Sequence, residues 1–130
     1  MRAKATRNKF DGCPAPVAAF GSPQSDTNIT LGNEYEVHAL SVFQGVVCLQ
    51  MVNDANIISW LPSWFFEISE ATIPGDWVCC LPGENLQMVL GPEFVAADEA
   101  SYNRMVELDS ESVAPFWQRV DAKAQPGREP

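Results

Sequence analysis

The stretch Trp60-Leu61-Pro62-Ser63-Trp64-Phe65-Phe66-Glu67-Ile68 decides the fold class. An apolar run, Ile57 to Leu61, meets Pro62, which has no N–H for a sheet ladder and stops the strand. Pro62-Ser63 then turns the chain through an aromatic cluster, and Glu67 to Ser69 reads as a short returning strand. Upstream, Asn53-Asp54-Ala55-Asn56 is a turn by composition. The run Val46 to Val52 before it is apolar at every position except Gln50, the pattern of a strand covered on both faces. Gln44-Gly45 separates that run from another β-rich one and predicts a tight hairpin. In the earlier run Tyr35, Val37, Ala39, Ser41 and Phe43 alternate with Glu34, Glu36, His38 and Leu40, a two-residue period.

Residues 2–10 read as a first strand with basic residues on one side. Residues 11–30, with three prolines and two glycines, read as a loop that Val17 and Phe20 pin to the core. Downstream, Trp77 to Leu81 and Leu86 to Leu90 form a hairpin across Pro82-Gly83-Glu84-Asn85. After Gly91-Pro92 the period changes. Residues 98–107 begin with Asp98-Glu99, suited to a helix N-terminus, and carry an apolar stripe at Tyr102, Met105, Val106 and Leu108. Asp109 or Ser110 caps a last helix with a stripe at Val113, Phe116, Trp117 and Val120, and Pro115 is tolerated in its early turns. The expected architecture is mainly β (α+β): a small barrel or curled antiparallel sheet of five to seven strands with two short C-terminal helices. It forms a single domain over 1–124, divided into a barrel (1–70), an extra hairpin (71–91) and helices (92–124), with a frayed tail at 125–130.

The chain has 130 residues, enough for one core without disulfide staples, and 46% of them are hydrophobic, which excludes a largely disordered protein. Its net charge of −9 conceals an uneven distribution. Arg2, Lys4, Arg7 and Lys9 are half of all the basic groups, whereas Asp26 to Glu111 contains fourteen acidic residues and one basic residue, Arg104. A field of that sign repels nucleic-acid phosphates and anionic lipid and attracts basic partners. No apolar segment is long enough to span a membrane, and no secretory leader is visible. Cys13, Cys48, Cys79 and Cys80 lack metal-ligand spacing, so a reduced cytoplasmic protein with buried thiols is expected, with no metal and no cofactor.

Leu31-Gly32-Asn33-Glu34-Tyr35-Glu36-Val37, followed by the Pro62-Ser63 turn with its aromatics, resembles the Src-homology-3-like barrel family over residues 1–70. That family implies a long first loop, here residues 11–30, and a one-turn 3₁₀ helix before the last barrel strand. The proline-peptide groove of its signalling members does not carry over, because neither their ALYDY-type motif nor their tryptophan pair is present; Trp60, Pro62, Trp64 and Phe65 read as core. The leading strand, the Gly32/Tyr35/Val37 entry, the Trp60–Ile68 segment and the acidic helical tail also resemble small immunity proteins of bacterial toxin systems. That resemblance implies a non-enzymatic protein that occludes a cognate toxin domain, in many cases a basic nuclease. The alternative is a non-catalytic adaptor or regulatory binding module, of phage origin in one version, using the surface around Trp60, Trp64 and residues 11–30.

Three acidic clusters are candidate partner-binding residues: Glu34 and Glu36 on one strand face; Glu67, Glu70 and Asp76 around the loop after the barrel; and Asp98, Glu99, Glu107, Asp109 and Glu111 on the helices. Each also has a plain reading as a solvated face that keeps the protein soluble. Glu107, Asp109 and Glu111 have the best claim, since closely spaced like charges repel one another. Trp77, Tyr102 and Trp117 are candidate aromatic anchors whose alternative reading is core. His38, the single histidine, is a surface or structural residue unless a pocket brings it to a second polar group, as a small enzyme would require.

Overall fold

The computed structural model describes residues 1–22 and 24–124; the tail assigned to 125–130 lies outside them. Eight strands and four helices occur among the described residues, in the order β1 (Arg2–Ala5), α1 (Ala15–Ala18), β2 (Glu34–Glu36), β3 (Ala39–Phe43), β4 (Val46–Val52), β5 (Ile58–Pro62), β6 (Phe66–Glu70), β7 (Val78–Cys80), β8 (Leu86–Gly91), α2 (Glu93–Ala96), α3 (Glu99–Val106) and α4 (Ser110–Ala124). A single 3₁₀ turn, Ser63–Phe65, joins β5 to β6. The strands form two antiparallel sheets, β2-β1-β6 and β5-β4-β3-β8-β7. The sheets curl and do not close into a barrel, so the curled-sheet form of the expectation is the one observed.

The hairpins follow from their turns. Phe43 pairs with Val46 across Gln44 and Gly45, which both have positive φ (49° and 78°), so the turn twists with the strands it joins. Asn53 Oδ1 accepts from the N–H groups of Ala55 and Ile57, closing the β4–β5 turn. The 71–91 hairpin is not an appendage: β8 pairs with β3, so the hairpin extends the main sheet.

Four sequence expectations need correction. The first strand ends at Ala5, not residue 10, because the backbone N–H groups of Thr6 and Arg7 both turn to Phe65 O (2.8 and 3.1 Å). The continuous run over residues 34–43 is broken at Val37 and His38, whose N–H groups donate to Met1 O and Gln50 O, so the chain passes there from the small sheet to the large one. Residues 11–30 contain the single-turn α1, and α2 is a third C-terminal helix beyond the two expected.

Three buried clusters hold the layers together. The largest lies between the five-stranded sheet and α2–α4, with Ala39, Val89, Val95, Met105 and Phe116 at its centre. A second ties the 11–30 loop, through Val17 and Ile29, to Phe10, Met51 and Phe65. Gly21 is required there, since a Cβ would lie 2.6 Å from the Phe10 ring. The third joins Ala3, Val37, Leu49 and Trp77 where the two sheets meet. Gly91 has a similar role under α2, where an added Cβ would lie 2.7 Å from Ala39 Cβ and 3.0 Å from Val95 Cγ1.

Candidate functional site

Strand pairing rearranges the charges. Arg2 lies opposite Glu36 on β2 and Glu70 on β6, and Lys4 lies opposite Glu34 and Glu67. Directly opposed residues of an antiparallel pair share a face, so a basic row runs between two acidic rows. Arg2 reaches Glu34 at 3.9 Å, and the N-terminal ammonium reaches Glu36 at 3.3 Å. Four of the ten candidate acids, Glu34, Glu36, Glu67 and Glu70, therefore face cations of their own sheet. A fifth, Asp76, is held by Arg119 of α4 in a two-pronged contact, Nη2 to Oδ1 at 2.9 Å and Nη1 to Oδ2. The paired carboxylate raises the Arg119 pKa.

The helical layer differs. Asp98 caps α3, with Oδ1 accepting from Ser101 N and Ser101 Oγ, both at 2.8 Å, and the backbone bond from Ser101 lowers its pKa. Asp109 caps α4 through longer bonds from Ser112 N and Oγ, each 3.3 Å. Glu99, Glu107 and Glu111 are exposed, and none of them has a salt bridge among the described residues. A recess of about 350 Å³ between the β7–β8 turn and α3 adds Glu84 to Glu99 in its lining.

Beside this acid is an apolar groove of about 200 Å³, lined by Ile57, Ile58, Leu108, Val113 and Trp117 together with Asn56. Ile57 is 50% and Leu108 47% exposed. Leu108 has φ 58°, the left-handed region that glycine favours at the end of a helix. Its N–H donates to Met105 O and that of Asp109 to Arg104 O (both 3.0 Å), which closes α3 and leaves the leucine side chain outside. Of the three candidate anchors, Trp77 and Tyr102 are core, whereas Trp117 is half-buried and lines the groove.

On the surface that an adaptor would use, Trp60 and Trp64 are half-buried and each has an aromatic neighbour. Trp60 packs against Tyr102 at 5.2 Å between ring centroids, with the ring planes tilted by 52°. Trp64 meets Phe65 edge-on, with the Arg7 guanidinium 4.4 Å above its ring. His38 is buried and lies 4.9 Å from the Phe116 ring of α4. It lines a recess of about 310 Å³ with Glu34, Glu36, Tyr35 and Arg2, but none of the lining residues is a serine, threonine or cysteine nucleophile. The thiol expectation holds in part: Cys48 is buried, and burial pushes its pKa up to about 12, whereas Cys79 on edge strand β7 is exposed. Among the described residues no three His, Cys, Asp or Glu side chains converge to hold a metal ion, and no helix is long and apolar enough to cross a membrane.

Fold and surface together define a two-sheet α+β protein with a small sheet whose basic strand lies between two acidic ones, and an acidic helical layer. No protein-family model, no curated protein and no solved structure matches this chain.

Proposed function

We propose that the chain is an immunity-type protein of the bacterial cytoplasm, which binds a cognate toxin domain, a basic nuclease by class, and blocks it without chemistry of its own. The observation that carries this reading is the distribution of charge: acids on the small sheet face cations of that sheet, whereas Glu99, Glu107 and Glu111 on the helical layer are exposed and make no salt bridge among the described residues. Uncompensated acid on one face steers a basic partner and speeds its association. Trp60 and Trp64, the aromatics that an adaptor reading needs, are partly taken up by contacts to Tyr102, Phe65 and Arg7, which favours the inhibitor over the adaptor.

Co-expression with the toxin gene expected beside this one tests the reading. Host cells survive the toxin only when this chain is present, and the triple variant E99K/E107K/E111K loses protection while remaining folded. Survival that is unchanged by the triple variant removes the acidic face from the mechanism. Killing in the presence of the wild-type chain removes the proposal altogether.

A further inference from the structure

A leucine in the left-handed region is unusual, because its Cβ crowds the backbone where glycine has none. Leu108 has that conformation and also leaves about half of its side chain in water. Neither feature stabilises the isolated chain. Leu108 lines one groove with Ile57, Val113 and Trp117, so a shallow apolar groove opens where the two helices meet. Glu107 and Asp109 flank Leu108 directly, and Glu111 follows in the first turn of α4.

We infer that this groove is the anchor point of the interface: it takes one aliphatic or aromatic side chain from a protein segment in which lysine or arginine flanks that residue. The inference rests on the proposed function and names the part of the acidic face that contacts the partner first. Charge complementarity selects the occupant. An apolar side chain alone gains little from so small a groove, and basic residues alone would gain only screened attraction to Glu107, Asp109 and Glu111. A segment carrying both satisfies the groove and its acids together, the arrangement of an apolar anchor with a polar rim. A second copy of this chain is a poor occupant, because it would bring the same acids against these. Leu108 is then the residue that sets the depth and shape of the groove, and its strained backbone is retained for binding.

The test uses the full chain, isotopically labelled, and two synthetic peptides with lysines around a central leucine or a central alanine. At low salt, amide and methyl signals of Ile57, Leu108, Val113 and Trp117 are expected to shift with the leucine peptide. It should bind about fivefold more tightly than the alanine peptide, the ratio expected for partial burial of the larger side chain. Leu108→Gly keeps the backbone conformation and therefore the fold, and should abolish the difference between the peptides without abolishing their weak, salt-sensitive attraction. Equal binding of both peptides at the α3–α4 junction overturns the groove while leaving the acidic-face reading intact. Absence of any shift at that junction overturns both. Concentration-dependent dimerisation that Leu108→Gly removes assigns the groove to a second copy and overturns the proposed occupant.

Discussion

Gln50 offers the sharpest test of how the helical layer is supported. It stands on β4 between Ala39 of β3 and Trp60 of β5, so it shares their face of the sheet under the C-terminal helices. Gln50 is 0% exposed, and among the described residues neither its Oε1 nor its Nε2 has a hydrogen-bond partner. Burying a neutral amide without a partner costs about 1–3 kcal/mol. Methionine has nearly the same length and volume and adapts to an irregular site, so Gln50→Met removes that cost without opening a cavity or overpacking the core. The expected outcome is a gain of about 1–2 kcal/mol in unfolding free energy. Urea unfolding followed by tryptophan fluorescence would show a higher midpoint at unchanged slope. Gln50→Ala separates polarity from volume: it removes the same amide but leaves a hole, so the cavity cost of about 2–4 kcal/mol that attends such truncations should outweigh the gain. A loss of more than about 1 kcal/mol in Gln50→Met refutes the reasoning, because the amide would then be making bonds, for example to an ordered internal water.

Three further outcomes follow from the same kind of argument. Asp54 accepts from Tyr35 Oη at 2.7 Å and from Thr30 Oγ1 at 2.6 Å and ties the 11–30 loop to the β4–β5 turn. Asp54→Ala should cost about 1–2 kcal/mol in denaturant unfolding and raise the proteolytic sensitivity of the loop. With a colorimetric thiol reagent, Cys79 should react first, and Cys48 should stay silent until the chain unfolds; early modification of Cys48 would contradict its burial. Burial raises the pKa values of Cys48, Tyr35 and Tyr102 above the ordinary 9.0 of a thiol and 10.0 of a phenol. The folded state thus favours their protonated forms, and that stability is present below about pH 9 and lost as the pH rises through the raised values. A series of urea midpoints at increasing alkaline pH should fall, and a flat series would count against the burial of these groups.

How much of this was readable in the sequence depends on the range of the interaction. The hairpin at Gln44-Gly45, the stop at Pro62 and the caps at Asp98 and Asp109 are set by residues within four positions of one another, and all are observed. The two-residue alternation over 34–43 was also local, but it does not reveal that the chain changes sheets at Val37 and His38. That break depends on bonds to Met1 and Gln50, far away in sequence. The burial of His38 under Phe116 depends on the docking of α4 and has no local signature. The groove was missed for the same reason: the apolar stripes of the two helices were legible, but not that Leu108 leaves its stripe at the left-handed turn and meets Ile57 from β5's approach. A leucine where a helix end normally takes glycine is the one signal that would have pointed there.

The charge pattern shows why linear counting is a poor guide to an acidic surface. Along the chain, the basic first strand and the acidic body look like separate regions. Antiparallel pairing inserts that strand between Glu34–Glu36 and Glu67–Glu70, so Arg2 and Lys4 offset part of the acid on either side of them. Asp76 is taken by Arg119, and Asp98 and Asp109 hold helix ends. What remains for a partner is smaller than the sequence implied and more localised, on α3, α4 and their junction. A partner that reads total charge would bind the small sheet and the helices equally, whereas one that reads uncompensated charge must approach the helices. Reversal of Glu67 and Glu70 should therefore leave association rates nearly unchanged, and reversal of Glu107 and Glu111 should lower them in a salt-dependent way. Equal effects from the two pairs would mean that the protein acts through its overall field and that the junction has no special role.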